Sequence, residues 1–183
     1  MSVKKLGLLL SFAAIAFIFA SPYLFFTLQD DRGFWQIVPD LQQARYIHTA
    51  TLLSDSTVFV AGGDSGDVQL ASSEIMMQPQ SAWQQTAPML HPRRGHTATL
   101  LRDGRVLIAG GKGGNQVLGE CEIFDPVAKR NKAIVSLAEG RVSHRATLLS
   151  DGSVLLTGGK TSSGVTASVE RFDPVSETWQ SAS

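Results

Sequence analysis

Apolar and polar positions divide this chain into one long apolar run and a pattern that returns every 48 residues. The run extends from Leu6 to Leu28, behind Lys4 and Lys5 and ahead of Gln29, Asp30 and Asp31. A helix of about 23 residues rises about 34 Å, enough to cross a bilayer core of about 30 Å. Residues 1–28 are therefore expected to act as a signal anchor, with the lysines cytoplasmic and the rest of the chain outside. The alternative is a signal peptide cleaved after Ala20, which would leave a secreted or periplasmic protein. Ile18 is bulky for the position three residues before that cut. Cleavage would also leave Tyr23, Leu24, Phe25 and Phe26 at the new terminus. Both features favour the anchor.

Beyond the run, the pattern is that of short strands. A first strand is expected at Thr49–Leu53, Thr97–Leu101 and Ala146–Leu149, with polar and apolar side chains mixed. Tight turns follow at Asp103-Gly104 and Asp151-Gly152, and at the poorer turn former Asp55-Ser56. The second strand is almost wholly apolar: Val58–Ala61, Val106–Ala109, Val154–Leu156. Runs of that length without alternation fit strands buried on both faces. A third strand holds Glu122-Ile123-Phe124 and Glu170-Arg171-Phe172, closed by turns at Asp125-Pro126 and Asp173-Pro174. A fourth begins at a tryptophan.

The repetition is in register without insertion. His48, His96 and His144 share one column, and Arg45, Arg93 and Arg141 another. The glycine pairs Gly62-Gly63, Gly110-Gly111 and Gly158-Gly159 keep the same step, as do Glu74, Glu122 and Glu170. Trp35, Trp83 and Trp179 form a further column, which Asn131 interrupts. Self-similarity at this period marks a repeat architecture of small four-stranded sheets. The expected organisation is a targeting segment at 1–28 and a linker at 29–42 with a lone outer strand at 34–37. The repeat region then fills 43–183, with units at about 43–85, 91–133 and 139–181.

A glycine pair, about a dozen residues, an aromatic, six residues and a tryptophan is the pattern at Gly158-Gly159, Phe172 and Trp179. The middle unit has Gly111, Phe124 and Asn131, and the first has Gly63, Met76 and Trp83. In these residues the chain resembles the kelch-repeat β-propeller family, including the repeats of domains similar to the central domain of galactose oxidase. The resemblance implies an all-β fold, with three four-stranded blades of an incomplete ring behind an N-terminal transmembrane or signal helix. Phenylalanine or methionine stands where the family has tyrosine, so that hydroxyl's hydrogen bond is missing. Rings of this class close with roughly four to eight blades. Three blades are thus expected to leave two apolar faces that need covering. Further blades of a longer array, a homodimer completing a six-bladed ring, or another protein would each do so.

Composition narrows the chemistry. Charged residues make up 17% and hydrophobic ones 43%, a globular balance rather than a disordered one. The formal net charge is zero, so no nucleic-acid partner is expected. Cys121 is the one cysteine, which excludes a disulfide framework. The histidine column is read as structural, a hydrogen bond fixing the first strand, and the arginine and glutamate columns as a repeated ion pair. No metal or cofactor is expected. Gly159-Lys160-Thr161 looks like the end of a phosphate loop, but Val154 occupies the place of the required glycine. Gly110-Gly111-Lys112-Gly113-Gly114 is read as the glycine pair plus a loop. Asp64, Gly66 and Asp67 offer too few oxygens for calcium and are read as solvated. The copper chemistry of galactose oxidase needs tyrosine ligands, and only Tyr23 and Tyr46 are present.

The loops after the glycine pairs, 64–71, 112–119 and 160–166, differ most between repeats. Loops on a rigid scaffold are where propellers place function. Asp64, Asp67, Lys112, Asn115, Lys160 and Thr161 are accordingly the candidate binding-loop residues, for a protein or glycan ligand. The reading leans to a non-catalytic binding or scaffold module tethered to the membrane. The alternative is a fragment of a longer propeller, a sugar-directed enzyme whose active residues lie outside this chain.

Overall fold

The computed structural model describes residues 37–77 and 81–182. The expected N-terminal helix at 1–28 and the lone strand around Trp35 lie outside these residues. The described part is all-β, with three four-stranded antiparallel sheets in sequence. The first blade contains β1 (Thr49–Leu52), β2 (Val58–Ala61), a short hairpin of β3 (Asp64–Ser65) and β4 (Val68–Gln69), β5 (Ser73–Met76) and β6 (Gln84–Thr86). The second contains β7 (Thr97–Leu100), β8 (Val106–Ala109), the hairpin β9 (Lys112–Gly113) and β10 (Gln116–Val117), β11 (Cys121–Asp125) and β12 (Arg130–Ile134). The third contains β13 (Arg145–Leu148), β14 (Val154–Thr157), β15 (Val169–Asp173) and β16 (Thr178–Ser181). Among the described residues no helix is long and apolar enough to cross a membrane.

Each blade is a meander, ordered β1-β2-β5-β6 and equivalently in the other two. The register repeats: Ala50 faces Val60, Ala98 faces Ile108, and Ala146 faces Leu156. The two-residue hairpins β3–β4 and β9–β10 were not legible in the loops after the glycine pairs. In the third blade a single bridge between Lys160 and Val165 stands in their place.

The turns explain themselves through their aspartates. Asp55, Asp103 and Asp151 each accept the backbone N–H two residues on, from Thr57, Arg105 and Ser153. This side-chain bond mimics a backbone turn. The residue after the aspartate takes positive φ, +86° at Gly104 and +93° at Gly152, while Ser56 in the first blade carries +68° with a side chain. That conformation costs a non-glycine residue about 1 kcal/mol or more.

The core lies between blades rather than inside them. All four residues of β8 are buried because successive side chains point to opposite neighbours. Val106 and Ile108 pack with Leu53, Phe59, Ala61 and Ile75 of the first blade. Leu107 packs with Val154 and Phe172 of the third, and Ala109 with Leu156. Phe59 stacks on Phe124 with ring centroids 4.2 Å apart. A fully buried aliphatic or aromatic side chain contributes about 1.5–3 kcal/mol, so each blade depends on its neighbour for most of its apolar burial.

The expectation of two apolar outer faces needs correction at the third blade. Arg171 occupies the column of Ile75 and Ile123, Thr157 that of Ala61 and Ala109, and Thr166 that of Leu70 and Leu118. Arg171 is tied to Asp151 and to the Ser153 hydroxyl. These exchanges make the outer side of the third blade substantially polar. On the first blade Leu52 remains 64% exposed beside exposed Ala50.

Candidate functional site

The arginine and glutamate columns meet inside each blade. Arg45 pairs with Glu74 at 2.7 Å, Arg93 with Glu122 at 3.0 Å and Arg141 with Glu170 at 2.8 Å. Each guanidinium also donates to two carbonyls, that of the first glycine of the pair and that two residues before the glutamate: Gly110 and Glu120 at 2.7 Å in the middle blade. The second glutamate oxygen accepts a backbone amide from Gln42, Leu90 or Ala138. The cluster thus pins the segment entering the blade to β2 and β5 and their equivalents. Burial pushes the Glu122 carboxyl upward, against the pull of the Leu90 amide and Arg93. Each guanidinium nitrogen and each carboxylate oxygen has at least one hydrogen-bond partner, so these pairs fix geometry.

The histidine and glycine columns act across the joint between blades. The His96 ring nitrogen Nε2 lies 2.9 Å from Thr49 Oγ1 of the first blade, and His144 Nε2 lies 3.0 Å from Thr97 Oγ1 of the second. Each of these two rings thus bonds a first strand, that of the preceding blade. His48 is exposed. Burial, then the Arg93 charge, lowers the His96 pKa to about 3. Burial, then Arg141, lowers that of His144 to about 4. Both imidazoles are neutral near pH 7, with Nδ1 buried and unpartnered. Gly110, at φ +61°, sits where a Cβ would lie 2.6 Å from the Arg141 carbonyl and 2.9 Å from His144 Cε1. No side chain fits there.

The tryptophan column has a hidden continuity. Trp83 Nε1 donates to the Pro39 carbonyl at 3.0 Å. Asn131, which replaces tryptophan, donates through Nδ2 to the Ala87 carbonyl at 3.2 Å, one repeat on from Pro39, and to Pro88 at 2.8 Å. The amide keeps the hydrogen bond while the indole's bulk is lost. Trp179 instead tilts against Phe172, centroids 5.0 Å apart.

At the loop end, a cavity of about 350 Å³ is lined by Arg94, Gly95, Lys112, Val142, Ser143, Lys160 and Thr161, among others. It brings together three of the candidate binding-loop residues, Lys112, Lys160 and Thr161. Asp67 and Asn115 are exposed at hairpin tips and do not line it. Asp64 is buried rather than solvated, because Arg94 reaches across the blade joint to its Oδ2 at 2.6 Å. Lys112 and Lys160 occupy the Asp64 column in the later blades, and neither has a carboxylate partner among the described residues. Arg94 and the Thr49–Thr97 column were missed in the sequence. The threonines repeat at the same step as the histidines they bond and could have been found that way. Among the described residues no group of three or more histidine, cysteine or acidic side chains could hold a metal ion.

Successive four-stranded meanders with their cores between sheets define β-propeller blades. The signature described as Kelch motif matches residues 141–183, the third blade, whose columns run in register through the other two. The third blade carries a kelch motif. Among solved structures, one titled "Structure of YjhT" matches with a TM-score of 0.69 at 17% identity. The alignment covers 80% of this chain and 54% of that one, so this chain spans about half the length of its structural neighbour. No curated protein matches the chain by sequence.

Proposed function

We propose that this chain is a non-catalytic binding or scaffold module, tethered to a membrane through residues 6–28, that recognises an anionic group on a protein or glycan. The kelch repeats and propeller-like fold support a binding or scaffold role. One observation carries the ligand's charge: the loop-end cavity between the second and third blades holds Lys112 and Lys160 without carboxylate partners, next to Arg94, Ser143 and Thr161. Its volume suits a sugar unit or a short peptide segment. Two ammonium groups and the Ser143 hydroxyl suit a carboxylate with neighbouring polar atoms.

Binding of the full chain in detergent to uronic-acid oligosaccharides, acidic peptides and their neutral counterparts tests this. The acidic members should bind, weakening with salt, and Lys112→Ala with Lys160→Ala should lower affinity at least ~10-fold. Equal binding of neutral and acidic probes would dismiss the reading.

A further inference from the structure

Every joint between blades is closed by one set of four backbone hydrogen bonds. Between the first and second blades they run from Met89 N–H to Ala71 O (2.8 Å), Gly63 N–H to Arg93 O (2.9 Å), Arg93 N–H to Leu70 O (3.1 Å) and Gly95 N–H to Ile47 O (3.3 Å). Between the second and third they run from Leu137 to Gly119, Gly111 to Arg141, Arg141 to Leu118 and Ser143 to Gly95, at 2.8–3.1 Å. One repeat further, the same set has its two halves at opposite ends of the chain. The third blade offers Gly159 N–H and the carbonyls of Ser143, Thr166 and Ala167. The first blade offers the N–H groups of Leu41, Arg45 and Ile47 and the Arg45 carbonyl. None of these eight groups has a backbone partner among the described residues.

The side chains of the joint are divided in the same way. Gly158 has φ +62° like its counterparts, yet a Cβ there would meet only the Thr166 carbonyl, at 3.6 Å. The space that His96 and His144 fill at Gly62 and Gly110 is open. His48, the matching ring, stands exposed on the first blade. Arg145 takes the place of Thr49 and Thr97 and can donate to a neutral imidazole nitrogen as their hydroxyls can. Thr157 is little larger than the alanines of its column, and Arg171 is already held aside by Asp151 and Ser153.

We propose that the outer side of the third blade is a socket for the first blade of a second copy of this chain, and that two copies close a six-bladed ring about a two-fold axis. The interface that occurs twice within the chain then occurs twice more between copies. Six blades fall within the range of closed propellers. The aligned part of this chain also corresponds to 54% of a solved chain of similar fold, so two copies match about the length of that chain. A two-fold axis along the ring makes both new joints identical, and the assembly terminates at two.

Sedimentation equilibrium of the full chain in detergent should give the mass of two chains. Leu52→Glu places a charge on the first blade's exposed side, and Thr157→Arg fills the socket. Each alone should reduce the species to one chain while leaving the strand circular-dichroism signal unchanged. Mixing the two should restore the two-chain mass, since one joint is then wholly native and the other pairs Glu with Arg. A single-chain mass for the unaltered protein would overturn the proposal. So would an open series of larger species, or a two-chain mass that survives in both variants, as pairing through residues 6–28 alone would give.

Discussion

The joint between the second and third blades and the outer side of the third blade are built from the same columns, one repeat apart. Gly110 and Gly158 have φ of +61° and +62°, so the left-handed conformation belongs to the blade itself. Only Gly110 has a carbonyl and an imidazole pressed against it. The need for a missing side chain therefore comes from the neighbouring blade. Most of the repeat signature divides in the same manner. The arginine–glutamate pair is complete within each blade, whereas histidine, glycine and the apolar β8 positions are fulfilled only across a joint.

The strongest way to break this comparison is to exchange the residues that distinguish the two surfaces. Ile123 is 2% exposed, and its counterpart on the outer side is Arg171. Ile123→Arg buries an unpaired guanidinium in the joint and should cost about 4 kcal/mol or more in urea unfolding. Arg171→Ile changes an exposed side chain and should stay within about 0.5 kcal/mol for the single chain. Equal losses would mean that the columns do not define inside and outside as described.

A smaller difference separates the two glycines. Gly158→Ala should cost about 1 kcal/mol, the strain of a side chain at positive φ. Gly110→Ala adds the clash with the Arg141 carbonyl and His144, for a total of about 3–4 kcal/mol. Measured at dilutions where the chain is single, the excess at Gly110 reports the neighbour alone. A shrinking gap at high concentration would show Gly158 becoming covered.

The blades were legible because a repeat multiplies weak signals. The apolar run at Val106–Ala109 is ambiguous alone, but three copies in register leave little choice of fold. The site was less legible because its contacts run between repeats. Thr49 gives no hint of its histidine 47 residues away until the sheets are stacked. Asp64 looked like a solvated loop acid because its partner Arg94 sits in the next blade, in a column that otherwise holds Tyr46 and Val142. The polar outer side of the third blade could have been read directly from Arg171, Thr157 and Thr166 in core columns.

The buried rings sharpen the comparison through pH. In the unfolded chain each imidazole takes up a proton near its ordinary value of 6.5, while His96 and His144 resist to about 3 and about 4. Their folded pKa values are depressed, so the unfolded state binds the extra protons. Stability is complete above about pH 6.5 and falls as pH drops below it. Each ring should cost about 2 kcal/mol at pH 5. At dilutions where the chain is single, exposed His48 should contribute far less, so His96→Gln should flatten the profile between pH 6.5 and 5 and His48→Gln should not. Equal flattening by both would place His48 in a buried environment.

The smallest effect distinguishes the two joints from each other. Glu177 of the third blade accepts from Arg105 and from Lys132 of the second, both at 2.7 Å. The matching positions one repeat back are Lys129, Thr57 and Gln84, so no such clamp spans the first and second blades. The hydrogen bonds from Lys132 and Arg105 hold the Glu177 carboxyl below its ordinary value. Its contribution is therefore present above about pH 4.5 and lost only as pH falls through the lowered value. Because the clamp is partly exposed, Glu177→Gln should lose only about 0.5–1 kcal/mol at low salt. In ~1 M salt, where the screening length is about 3 Å, that loss should disappear. Urea titrations of both proteins at pH 7, with and without salt, read the difference. A loss that survives high salt would assign Glu177 to packing at the joint rather than to charge.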